Sequence, residues 1–577
     1  MNRKTIRVWA PIPKKVELAL GNQRFPMKRG TDGWWQAAIK PSSARDYGFI
    51  LDGEGPFPDP RSPWQPNGIH QRSRLVNHGS FKWTDAGFNA RPLAEAVIYE
   101  LHIGTFTSTG TFDSAIGRLD HLVRLGVTHV ELMPVNEFSG NHGWGYDGVD
   151  LFAPHQAYGG PAALKRLVNA CHARGLAVLL DVVYNHLGPT GNYLGKYAPY
   201  FTDRYHTPWG RALNFDGPHS DEVRRFFCDN ALMWLRDYHF DGLRLDAVHA
   251  ICDQSARPFL GQLADEVQSL AQKTGRRLVL IPESDLNDPR LLWPRERGGY
   301  ALDAQWSDDF HHALHSVLTG ERNGYYEDFG ALAQLAKALQ NAYVYDGDYS
   351  PHRKRRHGRP PEGLEGKHFL AYAQNHDQIG NRACGERLSH LMNPGRLKIA
   401  AALVLASPFV PMLFQGEEWG ALTPFQYFTD HAEPELAKAV REGRRREFAA
   451  FGWKPEEVPD PQARETFERS KLNWSELKQK KHAALLDWHR QLIQLRQRES
   501  ALANGRRDLV QTHFNEAARW LVVERGPVTI ACNFSARLRR VPLRGGKHFL
   551  LLASDRAIKI AGNKISLPAN TVAILRA

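Results

Sequence analysis

Between about residues 95 and 415, short apolar runs alternate with stretches of helical periodicity, and this rhythm narrows the fold more than any other feature. The runs are Ala96–His102, Val127–Met133, Leu176–Val183, Phe240–His249, Arg277–Ile281, Tyr300–Trp306, His368–Ala373 and Val410–Phe414. Helices are expected from Thr111 to Leu125, from Pro161 to Arg174, from Ser220 to His239, and through Leu485, Leu486, Trp488, Leu492 and Leu495. Near-continuous apolar strands are covered on both faces, so the expected core is an α/β, parallel (β/α)8 TIM barrel. A doubly wound sheet is the alternative, but no glycine-rich dinucleotide turn follows the first run.

The flanks read differently. Arg7–Ala10, Val16–Leu20, Trp34–Ile39 and Tyr47–Leu51 are short strands between turn signals, which predicts an N-terminal β-sandwich over 1–88, carbohydrate-binding-like in character. Trp34 and Trp35 either stack on sugar rings or divide between core and surface. Pro56–Pro66 reads as an exposed connector. Beyond about 505 the helical period disappears. A hairpin, Arg519–Val523 with Val528–Phe534, then His548–Leu552 and Thr571–Leu575, predict a small C-terminal β-domain over 505–577. The barrel would fill 89–504.

A chain of 577 residues exceeds one core, and 42% apolar with 24% charged residues fits a globular protein. It has no apolar run long enough to span a membrane. Met1–Trp9 passes from basic residues into a strand without the apolar segment of a signal peptide. The five cysteines (171, 228, 252, 384, 532) show no C-x-x-C spacing. Together these predict a cytoplasmic protein with no disulfide framework and no zinc site. The net charge of +12 is partly local, in His352–Arg359 and Arg444–Arg446. Without a nucleic-acid motif these read as solvated surfaces, so neither a nucleic-acid nor a membrane partner is expected. No sequence feature sets an oligomeric state.

In such a barrel the chemistry lies at the C-terminal ends of the strands, and the polar residues collect there. Tyr99, Glu100 and His102 end the first strand, and Gly143–Gly148 follows the second. The third ends Asp181-Val182-Val183-Tyr184-Asn185-His186, the fourth carries Arg244, Asp246 and His249, and the fifth runs into Glu283-Ser284-Asp285. The sixth leads into Ser307-Asp308-Asp309-Phe310-His311-His312, the seventh into Gln374-Asn375-His376-Asp377-Gln378, and the eighth into Gln415-Gly416-Glu417-Glu418. Arg244 and Asp246 alone read equally as a buried ion pair or as functional groups. Acids, imidazoles and aromatics at one end of all eight strands imply a carboxylate-rich, aromatic-lined cleft suited to carbohydrate. Asp246, Glu283 and Asp377 could cleave an acetal: one attacks the anomeric carbon, one moves a proton, one steadies the oxocarbenium-like transition state. Mutual repulsion should raise one acid, expected to be Glu283, while Arg244 keeps Asp246 ionised. A metal centre is the rival, but no HExxH or comparable ligand motif is present.

Asp181–His186, Gly242–His249, Glu283 and Asn375–Asp377 resemble, in order and strand placement, the four signature regions of the α-amylase superfamily of retaining glycosidases. The resemblance implies Asp246 as nucleophile, Glu283 as general acid/base and Asp377 as transition-state stabiliser. It implies His186 and His376 on sugar hydroxyls, Tyr146 stacked on the sugar, Arg244 orienting Asp246, and Asp181 supporting from behind. Glu283–Arg290, Asn375–Arg382 and Tyr99–Phe106 resemble the trehalose-releasing branch, which hydrolyses the α-1,4 bond beside the terminal trehalose of maltooligosyltrehalose. Glycogen branching transglycosylases have similar flanks and are the nearest alternative; a non-catalytic glucan-binding scaffold is a third. Pro282 departs from the small residue expected before the acid. Asn185 stands where calcium-dependent amylases place a ligand, yet the excursion Leu187–His219 looks short for a calcium domain, so no metal and no cofactor is expected. Asp308, Asp309, His311 and His312 are candidates to read the leaving sugar, or simply an acidic helix N-terminus. His249, Gln378 and Asn381 are further candidate substrate contacts.

Overall fold

A computed structural model of the chain describes residues 4–39, 46–449 and 453–577. The eight-stranded sheet consists of β1 Ile98–Leu101, β2 His129–Leu132, β3 Ala177–Val182, β4 Gly242–Leu245, β5 Val279–Pro282, β6 Gln305–Trp306, β7 Phe369–Ala371 and β8 Val410–Phe414. Every ladder is parallel, and β8 returns to pair with β1, as a barrel requires. Asp303 bridges the seam between β5 and β6: its N–H donates to Leu280 O at 3.0 Å and its carboxylate accepts from Leu280 N–H at 2.7 Å. Ile98, Leu179, Ile281, Trp306, Leu370 and Met412 fill the barrel interior beneath the polar layer. Outside lie helices that include α1 Gly160–His172, α2 Ser220–Asp237, α3 Asp308–Thr319, α4 Pro434–Ala449 and α5 Lys480–Arg498.

Three departures from the sequence reading bear on function. The helix expected over Thr111–Leu125 is two helices, Phe112–Ile116 and Leu119–Leu125, broken where glycine 117 is a poor helix former. The sixth strand keeps only two residues. The backbone N–H groups of Tyr300, Ala301 and Leu302 donate instead to Arg290, Trp293 and Leu291 carbonyls, so this segment wraps the loop after β5. β4 stops at Leu245, which puts Asp246 just past the strand, followed by Ala247 in the left-handed region (φ 38°) and a short 3-10 turn, Val248–Ala250. That turn lifts Asp246 out of the pleat and delivers the Ala247 N–H to the next strand end.

The N-terminal strands form two antiparallel sheets. Trp35 is buried with its indole N–H on Ala10 O. Trp34 donates to Glu222 of α2 and carries Arg7 over its ring at 4.7 Å, so both tryptophans serve the domain and its junction rather than an open sugar platform. At the C-terminus a five-stranded and a three-stranded antiparallel sheet enclose Val522, Ala531, Val541, Ile565, Leu567 and Leu575. Among the described residues no helix is long and apolar enough to cross a membrane.

Candidate active site

The strand ends converge on a cavity of about 570 Å³, lined among others by Tyr146, His186, Asp246, His249, Glu283, His376, Asp377 and Asn381. Beneath its floor Arg244 is fully buried, with its guanidinium 4.3 Å from the Trp306 ring. One nitrogen, Nη1, donates to Asp181 Oδ2 at 2.7 Å and to Asp246 Oδ1 at 2.8 Å. Nη2 lies 2.8 Å from Glu283 Oε2 but is not aligned as a hydrogen bond. The aligned donors therefore engage Asp181 and Asp246, and leave Glu283 only close to the guanidinium.

Asn185 completes the hold on Asp246, with Nδ2 2.7 Å from both Oδ2 and the main-chain oxygen. Glu283 Oε2 accepts the Ala247 N–H at 2.8 Å. Burial pushes the Glu283 acid up; Arg244 opposes this, Asp246 and Asp377 reinforce it, and the group settles at about 8. Pro282 is accommodated in the ladder opposite Leu245, and the Glu283 N–H itself closes onto Leu245 O at 2.9 Å. Asp181 is lifted by burial to about 6, with Arg244 restraining it.

A second charge lies across the floor. His376 is buried, with Nδ1 bonded to Glu100 and Nε2 2.8 Å from the Tyr146 hydroxyl. Burial works against its charge, yet Glu100 and Asp377 outweigh it and raise the imidazole to about 9. The Tyr146 hydroxyl donates to Asp181 Oδ2 at 2.5 Å, and its ring stacks on His376 at 5.1 Å and 18°. A chain of contacts thus joins Glu100, His376, Tyr146, Asp181, Arg244 and Asp246. His186 bonds Asn185 and stacks under Trp209 at 4.7 Å.

The structure draws some expected contacts away from the cavity. Asp309 is buried on α3, where Oδ2 accepts the N–H groups of Val344 and Tyr345 at 2.7 and 2.8 Å and Asn287 Nδ2 at 2.9 Å. It clamps two loops. His311 lies against Tyr372 and bonds Tyr326, and His312 packs on Tyr325, so both rings sit within the packing of α3 and outside the cavity lining. Gln378 Oε1 accepts from the Tyr325 and Tyr326 hydroxyls at 3.3 Å. The assignment of Asp309, His311, His312 and Gln378 to the leaving sugar is revised accordingly. Asp308 is half-buried beside the acids; burial lifts it to about 7, and the Tyr372 hydroxyl donates to it.

Other lining residues escaped the sequence reading: Trp209, Tyr427, His431, Leu436 and Val440. Trp209 sits at the tip of a hairpin inside the excursion after β3, and 49% of its surface is exposed. An exposed tryptophan between turn residues was the available signal. Leu436 and Val440 belong to α4, whose charged composition concealed its cavity-facing side. The basic hairpin Tyr349–Arg356 does not line the cavity; Arg353 reaches Asp285 at 3.4 Å. Among the described residues no group of three or more acids, histidines and cysteines is arranged to hold a metal.

The catalytic-domain model of the α-amylase family matches residues 79–206. The malto-oligosyltrehalose trehalohydrolase of Rhizobium sp. (strain M-11) is 51% identical, covering 99% of this chain and 97% of its own length. The chain belongs to the trehalohydrolases of the α-amylase family. A Mycobacterium tuberculosis member is 49% identical over 99% of each chain, and a Saccharolobus solfataricus member 45% identical over 90% of this chain and 89% of its own. A crystal structure from Salmonella typhimurium, provisionally described as an α-amylase, superposes with a TM-score of 0.91 at 39% identity over 99% of this chain and 97% of that one. A Vibrio parahaemolyticus 1,4-α-glucan branching enzyme matches at 34% identity over only 42% of this chain and 36% of its own length.

Proposed function

We propose that this chain hydrolyses the α-1,4-glucosidic bond next to the terminal trehalose of a maltooligosyltrehalose and releases free trehalose, by double displacement with retention. The observation that carries the chemistry is the division of roles around one buried guanidinium. Asp246 takes the aligned N–H bond, while Glu283 lies unaligned beside it and stands at about 8. At neutral pH Asp246 is the nucleophile and Glu283 holds the proton for the leaving oxygen. After trehalose departs, the same Glu283 takes a proton from water, which attacks the glycosyl-enzyme. Asp377 at the cavity wall faces the developing oxocarbenium charge.

His376, charged and held by Glu100, sets the Tyr146 ring and hydroxyl at the cavity floor, and Tyr146, His186, His249 and Asn381 complete the ring around the reacting sugar. Asp181 and Asn185 hold the nucleophile's surroundings from beneath. The near full-length identity to trehalohydrolases supports trehalose as the leaving group, and the partial match to a branching enzyme disfavours transglycosylation. We take 1–88, 89–504 and 505–577 as the three domains, and the five unpaired cysteines suit a reducing cytoplasm.

Incubation with maltotriosyltrehalose tests the reading. Free trehalose and maltotriose, first formed as the α-anomer, are expected. New branch points would establish the transferase, intact substrate the scaffold, and a β-anomer would overturn the covalent intermediate.

A further inference from the structure

α4 closes the cavity from outside the barrel. Leu436 and Val440, four residues apart, line it, and Arg444 is the next residue on that helical face. The Arg444 side chain is 14% exposed, and its guanidinium carbon lies 4.8 Å from the ring centroids of Tyr427 and Phe448. Nη2 donates to Gly380 O at 2.8 Å and Nη1 to Asn381 Oδ1 at 3.1 Å, so two of its donors grip the turn that follows Asp377. A guanidinium offers donors and no acceptor. It therefore captures the amide oxygen of Asn381 and turns the amide –NH2 the other way, 3.2 Å from Asp377 Oδ1.

We propose that Arg444 is a positioning residue for Asp377, acting through Asn381, and that α4 thereby couples the cavity wall to the stabilising carboxylate. The proposal rests on the glycosidase reading above. Glu447, 3.0 Å from the same Nη1, balances the charge, so the device is geometric. Asp377 needs such restraint: its side chain is 36% exposed, and an acid with free rotamers loses the alignment that makes it useful when charge develops. Asn381 is then a relay whose orientation is dictated from α4.

Steady-state kinetics of trehalose release by the full chain test this, comparing R444A, R444K, N381A and R444A/N381A with R446A. Arg446 is 74% exposed on the same helix and controls for loss of a positive charge. R444A and N381A should each lower kcat by about 10–100-fold, and in R444A, whose side chain is not part of the cavity lining, KM should stay within about threefold. The double variant should be no slower than the slower single one, because both act on one link. R444K should recover part of the rate, since lysine keeps the charge but cannot grip two acceptors in one plane. Thermal midpoints within a few degrees of wild type would exclude unfolding as the cause; if R444A unfolds, R444K and N381A carry the comparison. A wild type that releases trehalose beside an R444A equal to R446A overturns the relay alone. Multiplicative losses in the double variant overturn it equally.

Discussion

Arg244→Met should weaken the fold more near pH 8 than near pH 5. The guanidinium is fully buried, and Asp181, Asp246 and Glu283 crowd it at 2.7, 2.8 and 2.8 Å. Methionine fills comparable space without charge. Removing one partner of a buried ion pair costs about 3–5 kcal/mol while the stranded partners stay ionised. The carboxyls can escape that cost by binding protons. Asp181 stands at about 6 and Glu283 at about 8 with burial as the main cause, and in both cases the arginine pulls down; without it both rise. A carboxyl whose folded pKa lies above its ordinary value makes the folded chain hold more protons than the unfolded one. Stability then falls as pH climbs from the ordinary 3.8 and 4.5 of these groups through their folded values. Near pH 5 the variant folds with these acids protonated and loses mainly hydrogen bonds, about 1–3 kcal/mol. Amide hydrogen exchange of β3–β5, corrected for the intrinsic rate, reads the difference without assuming that the whole chain unfolds in one step. The gap between wild type and variant should widen by about 2 kcal/mol between the two pH values. A gap that stays constant, or narrows toward pH 8, would refute the idea that Arg244 is there to hold carboxylates.

Further consequences concern catalysis directly. In the proposed mechanism Glu283 is the acid of the first step, and it stands at about 8, so kcat/KM for trehalose release should hold through neutrality and fall about tenfold per pH unit above 8; a fall beginning near 5 would contradict the role. α-Maltosyl fluoride needs no proton on its leaving group, so E283Q should still release fluoride in a burst while D246N should not; a burst from D246N removes it as nucleophile. In E100Q the imidazole of His376 loses the carboxylate that most raises it, so its NMR titration midpoint should drop from about 9 toward the ordinary 6.5 and KM should rise; an unmoved midpoint would show that Glu100 does not hold the charge. D309A should detach Val344 and Tyr345 and cost about 2–3 kcal/mol of stability, measured by exchange at those amides; unchanged protection there would return Asp309 to the candidate sugar contacts.

The barrel was legible because its strands are buried on both faces, which turns each into an apolar run that polar loops cannot imitate. Leu176–Val183 stands out for this reason, and the observed β3, Ala177–Val182, trims it by one residue at each end. Tyr300–Trp306 misled for the complementary reason. The backbone there hydrogen-bonds to the 290–293 loop with Leu302 buried, and burial without ladder pairing leaves the same trace in sequence. The Phe112–Leu125 region kept its helical periodicity across Gly117, where the backbone nonetheless breaks. Apolar spacing records which side is buried, not whether the hydrogen-bond ladder continues.

The site divides along a similar line. That Asp246, Glu283 and Asp377 share one cavity was legible because each is placed by a single local fact, a charged residue at the end of a buried strand. What lies between them was not. The bond from Arg244 that favours Asp246 over Glu283 depends on Ala247 adopting φ 38°, which raises Asp246 toward Nη1 and sends an N–H to Glu283. No pattern of residue types encodes that angle, since glycine or asparagine would have marked it and alanine does not. The cavity wall is further removed still. Trp209 comes from the excursion after β3, Tyr427 and Val440 from the stretch after β8 far along the chain, and only closure of the barrel brings them to one rim. Asp309 shows the reverse error. An acid beside Asp308 in a polar cluster has the composition of a sugar contact, but a backbone turn at Val344–Tyr345, 35 residues on, claims its lone pairs first. Residue type therefore locates the chemistry of such a barrel, while the competition among buried donors and acceptors decides which polar residues remain free to meet the substrate.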